Sequence, residues 1–107
     1  MGKSDRLLEN VSLVGTITDA SYNPLPAVGV RIRLRNDDPN KTLDILGLTD
    51  NQGKYNFIYS PTSSIDGAQL EFVKAGYVVS VADKFNVSEN ATCDFVTYMR
   101  DAVLQLQ

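Results

Sequence analysis

The stretch Val28-Gly29-Val30-Arg31-Ile32-Arg33-Leu34-Arg35 alternates between aliphatic and non-aliphatic residues along its whole length. Successive side chains of a β-strand point to opposite faces. This period of two therefore puts Val28, Val30, Ile32 and Leu34 on one face and Gly29 with three arginines on the other. A strand that is aliphatic on one side and cationic on the other belongs to a half-buried sheet. The same period continues outward in both directions. Upstream, Val11, Leu13 and Ile17 share a face with Gly15 between them, and a glycine inside a strand marks a bulge or a close backbone approach. Downstream, Tyr55, Phe57 and Tyr59 alternate with Asn56 and Ile58. Leu70 and Phe72 alternate with Glu71 and Val73, and Tyr77, Val79 and Val81 share a face within 77–85. Further strands are predicted over 42–49 and 91–99, with 103–106 as an edge segment or a loose tail.

Turn chemistry separates these runs. Residues 19–26 form a turn because Asn23 and Leu25 each precede a proline, which pushes them out of helical geometry. Asn36-Asp37-Asp38-Pro39-Asn40 is a loop. Asp50-Asn51-Gln52-Gly53 is the strongest turn in the chain: Asp and Asn bond their own backbone, and Gly supplies the positive φ that closes a hairpin. Residues 60–67 and 86–90 are polar loops. Seven short strands with turn signals every eight to twelve or so residues have the rhythm of an antiparallel sandwich or barrel. There is no amphipathic helix, although a helical turn fits 62–66 or 99–106.

The chain's 107 residues suit one domain, and there is neither a repeat nor a linker. That domain is expected over 11–107, with 1–10 a polar stretch that is either disordered or vector-derived. The formal charge of −3 argues against nucleic acid, whose phosphates call for basic surfaces. No apolar run is long enough for a membrane span. The one cysteine, Cys93, excludes an internal disulfide and reads as a small core residue. With no histidine, the chain lacks the commonest general base and metal ligand, so Ser-His-Asp, Cys-His and Cys/His zinc arrangements cannot form within it. Asp37 and Asp38, with oxygens of Asp50 or Asn40, are the candidates for calcium. The Asp-x-Asp-x-Asp-Gly spacing is missing, and a solvated loop is the plainer reading. The expectation is no enzyme and no cofactor.

Four motifs in order carry a resemblance: Val14-Gly15-Thr16-Ile17-Thr18-Asp19, Pro24-Leu25-Pro26-Ala27-Val28-Gly29-Val30, Thr49-Asp50-Asn51-Gln52-Gly53-Lys54-Tyr55, and Leu70-Glu71-Phe72 followed by Gly76-Tyr77. Together they cover about residues 11 to 85. The chain resembles the carboxypeptidase regulatory-like family, transthyretin-like sandwiches related in shape to the Cna-B repeats of collagen adhesins. Ala27 stands where the family usually has Gly, and 36–48 is longer than the family's link into the Asp-x-x-Gly turn. The resemblance implies a seven-stranded antiparallel Greek-key β-sandwich of transthyretin/prealbumin type. It also implies attachment to secreted peptidases, outer-membrane receptors or other surface proteins, hence an extracytoplasmic site: periplasmic, outer-membrane-associated or cell-surface. The adhesin relatives' Lys–Asn crosslink is not expected, because 11–19 has no lysine and Glu71 alternates with core-facing Leu70 and Phe72.

Two surfaces are candidates for binding. Arg31, Arg33 and Arg35 form a cationic stripe able to grip an acidic partner or an anionic sugar; alternatively the stripe is a solvated face paired with Glu71 or Asp44. Tyr55, Tyr59 and Tyr98 offer stacking surfaces to a glycan, or else fill the core with their hydroxyls at the rim. Asn-x-Ser/Thr sequons begin at Asn10, Asn40, Asn86 and Asn90. The sequence therefore points to a non-catalytic accessory or protein-interaction module of an exported, bacterial cell-envelope protein. Its partners would be proteins or neighbouring domains. A carbohydrate-binding module is the alternative.

Overall fold

The computed structural model describes residues 10–86 and 95–107. Cys93, the sequon at Asn90 and most of the polar segment 1–10 lie outside the described residues. Within them are eight strands and no helix: β1 (Asn10–Asp19), β2 (Gly29–Arg33), β3 (Gly47–Leu48), β4 (Lys54–Tyr59), β5 (Gln69–Val73), β6 (Ser80–Val81), β7 (Phe95–Met99) and β8 (Ala102–Leu104). The first sheet centres on β1, with β4 antiparallel to it and β7 and β8 parallel to it. The second runs β3-β2-β5-β6, antiparallel throughout.

The two sheets enclose one core, which makes the molecule a β-sandwich. Val11, Leu13 and Ile17 of β1, Val96 and Tyr98 of β7, and Leu104 meet Val30, Ile32, Leu70 and Phe72 of the second sheet. Tyr55 and Phe72 face each other across the layers at 5.8 Å between ring centroids. Fully burying one such side chain is worth about 1.5–3 kcal/mol, so these inward faces supply the main driving force.

The arrangement departs from seven antiparallel strands in two respects. Among the described residues there are eight strand segments, the last two lying end to end, and both of these pair parallel to β1. β7 and β8 keep one constant offset of 85 residues from β1, so they are a single strand interrupted at Arg100 and Asp101. At the interruption the Asp101 carboxylate accepts the Thr16 N–H at 2.8 Å, where a backbone carbonyl would otherwise serve. The Arg100 carbonyl is displaced over Gly15: a Cβ there would lie 2.0 Å from that oxygen and 2.7 Å from the Tyr55 ring. Gly15 is thus the close backbone approach expected from its place in the strand.

The Asp50 turn forms as expected. The Gly53 N–H donates to the Asp50 carbonyl, the Asp50 carboxylate accepts the Gln52 and Lys54 N–H groups, and Gly53 has a φ of 73°. Its flanks do not make a hairpin, however, because β3 belongs to the second sheet and β4 to the first. The strands predicted over 42–49 and 77–85 shrink to Gly47–Leu48 and Ser80–Val81. Over 36–41, side chains take the place of a ladder: Asp37 accepts the Leu34 N–H and pairs with Lys41. β6 lies at a sheet edge, which leaves Val79 and Val81 exposed; the chain beyond it bonds to β5 through Ala82 N–H to the Leu70 carbonyl, and to the residue before β5 through Phe85 N–H to the Ala68 carbonyl.

Ala27 adopts a left-handed conformation, φ 57°, at the position where the resembled family carries glycine, and its side chain is exposed. An L-residue there costs about 1–2 kcal/mol, partly offset by the lower unfolded-state entropy of alanine. Ala27→Gly is therefore expected to stabilise the fold by roughly 0.5–1 kcal/mol. Chemical denaturation checks this: a higher midpoint at unchanged slope is the expected result.

Candidate functional site

The outward face of the second sheet carries the arginines. Register sets its rows: Leu48 opposite Gly29 opposite Val73, then Arg31 opposite Glu71 opposite Val81, then Arg33 opposite Gln69. Directly paired residues share a face, so a central charge cluster is flanked by aliphatic side chains. Leu48 is 55% exposed and Val81 50%, with Ile45 and Val79 also largely in solvent. Ile45 and Val73 converge over the bare backbone of Gly29, whose absent Cβ would lie 2.9 Å and 3.0 Å from their methyl carbons.

Glu71 is the centre of the cluster. One carboxylate oxygen accepts from Arg31 Nε at 2.9 Å and the other from Arg33 Nε at 2.7 Å. It points away from the core as alternation requires, yet it is only 7% exposed because the two arginines cover it. Burial alone would raise its pKa; the hydrogen bonds and charges of Arg33 and Arg31 outweigh burial and hold it below the ordinary carboxyl value. Two of the three arginines, Arg31 and Arg33, pair with Glu71, one of the two partners expected for the stripe.

The three arginines are not equivalent. Arg33 also donates Nη1 to the Asp38 carbonyl at 2.7 Å and Nη2 to the Lys41 carbonyl at 3.3 Å, and so pins the loop after β2. Arg35 lies beyond the end of β2, half-exposed, 4.0 Å from Asp66.

The tyrosines are not a stacking surface. Tyr98 is fully buried, stacked on Phe85 at 4.2 Å, and donates its hydroxyl to the Asn86 carbonyl at 2.9 Å. Tyr55 is buried and donates to the Arg100 carbonyl at 2.5 Å; desolvation, with Asp101 nearby, lifts its pKa far above that of an ordinary phenol. Tyr59 is half-buried against the core, and burial raises its pKa as well. Core filling, with hydroxyls reaching rim carbonyls, describes Tyr55 and Tyr98. Among the described residues the aromatic ring most on display is Tyr22, 77% exposed at the tip of the turn after β1, a position the strand pattern does not single out.

The carboxylates proposed for calcium serve the backbone. Asp37 accepts from Leu34 N–H at 2.8 Å, and that bond chiefly lowers its pKa; Asp38 accepts from Asn40 N–H at 2.9 Å. Among the described residues no three His, Cys, Asp or Glu side chains group as a metal site. A concavity of about 470 Å³, open to solvent, is bordered by Asp50, Lys54, Asn56 and Asp101, and both of its carboxylates accept backbone N–H groups.

No protein-family model matches the chain, and no curated protein matches it. Solved structures do. The major plantain pollen allergen Pla l 1 aligns over 92% of this chain and 94% of its own, at 14% identity and a TM-score of 0.56. A catechol 1,2-dioxygenase variant from Acinetobacter radioresistens aligns over 94% of this chain and 53% of its own, at 15% identity and TM-score 0.52. The 3-chlorocatechol 1,2-dioxygenase of Rhodococcus opacus aligns over 100% and 63%, at 13% identity and TM-score 0.51. At such identities the likeness is one of fold: the chain shares a β-sandwich architecture with proteins that include enzymes and non-enzymes.

Proposed function

We propose that this chain is a non-catalytic, protein-interaction module of an exported, bacterial cell-envelope protein, a Greek-key sandwich of the carboxypeptidase regulatory-like kind. The observation that carries the interaction role is the outward face of the second sheet. There Leu48, Ile45, Val81 and Val79 are exposed beside an Arg31–Glu71–Arg33 cluster whose carboxylate is buried under two partly covered arginines. Apolar side chains around an ordered arginine suit the centre of a protein contact, where arginine is enriched and water is excluded. The family assignment is supported by the order of the four motifs and by Ala27, left-handed where the family has glycine. The extracytoplasmic location follows from that resemblance. A carbohydrate-binding role finds less support, since Tyr55 and Tyr98 are core residues.

Photo-crosslinking tests the reading. A photoreactive residue at Leu48 in the full-length protein, in its host, is expected to yield one recurrent protein adduct. The same residue at Ile58, exposed on the other sheet, is expected to yield none. Equal or absent crosslinking from the two positions would overturn it.

A further inference from the structure

Arg33 uses all three guanidinium nitrogens within the chain, whereas Arg31 uses one. Its Nε donates to Glu71 at 2.9 Å, and Nη1 and Nη2 have no acceptor among the described residues, although the side chain is only 24% exposed. A guanidinium is a rigid plane, so holding its Nε edge orients the rest. The open Nη1–Nη2 edge is therefore a preorganised donor fork whose ordering precedes binding, and preorganisation of this sort raises affinity. The cluster itself is cationic, with two arginines around one glutamate, in a chain whose formal charge is −3. Aliphatic Val81 lies in the same row as Arg31, and Leu48 in the next.

We propose, building on the protein-interaction reading, that this face docks an acidic protein partner: one partner carboxylate takes the Nη1–Nη2 edge of Arg31 while aliphatic neighbours cover Leu48 and Val81. Charge complementarity selects the occupant: a carboxylate takes both nitrogens in charge-assisted bonds, whereas neutral carbonyls, like those that accept from Arg33, bind more weakly and a basic segment is repelled. A monoanion fits better than a phosphate dianion, which would meet the Glu71 carboxylate on the same guanidinium. Glu71 is thus a positioning residue for Arg31.

The test uses two capped peptides, one alternating valine with glutamate and one alternating valine with glutamine, titrated while Arg31 side-chain and Leu48 and Val81 methyl resonances are followed. The glutamate peptide is expected to shift all three saturably, at least tenfold more tightly than the glutamine peptide, and less tightly as salt rises. Arg31→Lys keeps a cation beside Glu71 but lacks the fork, and should remove most of that preference. Leu48→Ser, at an exposed position, should weaken both peptides. Equal affinity for the two peptides, no change with Arg31→Lys, tighter binding of a phosphoserine peptide, or no shift at millimolar peptide would each overturn the proposal. So would concentration-dependent self-association lost with Arg31→Lys, which would make a second copy the occupant. If the peptides fail while Leu48 still crosslinks, the carboxylate inference falls and the interaction face stands; if both fail, the face falls too.

Discussion

Gly15→Ala should cost about 3 kcal/mol or more. The added carbon would sit 2.0 Å from the Arg100 carbonyl oxygen, a backbone atom that cannot swing aside as a side chain would. Relieving the clash means moving Arg100 outward. That breaks the Tyr55 hydroxyl bond to the same oxygen and pulls on the Asp101 carboxylate holding Thr16. Overpacking alone costs about 1–3 kcal/mol and a lost hydrogen bond about 1 more. Gly76→Ala is the informative control. Nothing lies within 4 Å of its added carbon, so it bears only the cost of a left-handed φ of 87°, about 1–2 kcal/mol. Denaturant midpoints should rank wild type above Gly76→Ala above Gly15→Ala. Equal losses at the two glycines would mean that the Arg100 carbonyl yields freely.

Glu71→Gln should be the second large loss, about 2–3 kcal/mol at pH 7. The amide matches the carboxylate in shape, but its NH2 group would face an arginine N–H, donor against donor, and two half-covered cations would lose their counter-charge. Breaking a fully buried pair costs about 3–5 kcal/mol, and the figure here is lower because both arginines keep some water. The pH dependence identifies the cause. The folded-state pKa of Glu71 lies below its ordinary value of 4.5. Its contribution is therefore complete above about pH 4.5 and is lost as pH falls through the folded value. The stability gap between wild type and Glu71→Gln should close as pH is lowered from 5 toward 3. Other carboxylates with lowered pKa values, such as Asp19 and Asp50, are common to both proteins and cancel in the difference. A gap that stays constant to pH 3 would show that the ionised carboxylate is not what matters.

Alternation alone located the inward faces. Val11, Leu13 and Ile17, Val28, Val30 and Ile32, and Leu70 and Phe72 are all buried. These positions are legible because burial repeats with the strand period. Pairing across long separations is not legible: nothing local to Phe95–Met99 announces that it runs parallel to a strand 85 residues earlier. The same limit explains the Asp50 turn, whose chemistry is local and correct while the sheet membership of its flanks is decided elsewhere. The aromatic positions were ambiguous because a tyrosine with a rim acceptor and one displayed for stacking look the same in a row of letters. Arg31, Arg33 and Arg35 were visible as a stripe. What separates them is the position of the Asp38 and Lys41 carbonyls, set by the loop rather than by the strand.

The parallel seam between β1 and the interrupted β7–β8 strand has a mechanical consequence. Where two neighbouring strands run in the same direction, the start of one and the end of the other lie at opposite ends of the seam. Tension applied at Asn10 and Leu104 would then slide the strands lengthwise, loading the seam's bridging bonds together instead of peeling them apart one at a time. Rupture under force is governed by the unfolding barrier. In single-molecule stretching, a domain strung this way should give way at one high, sharp force, a useful property in a part that links others under strain.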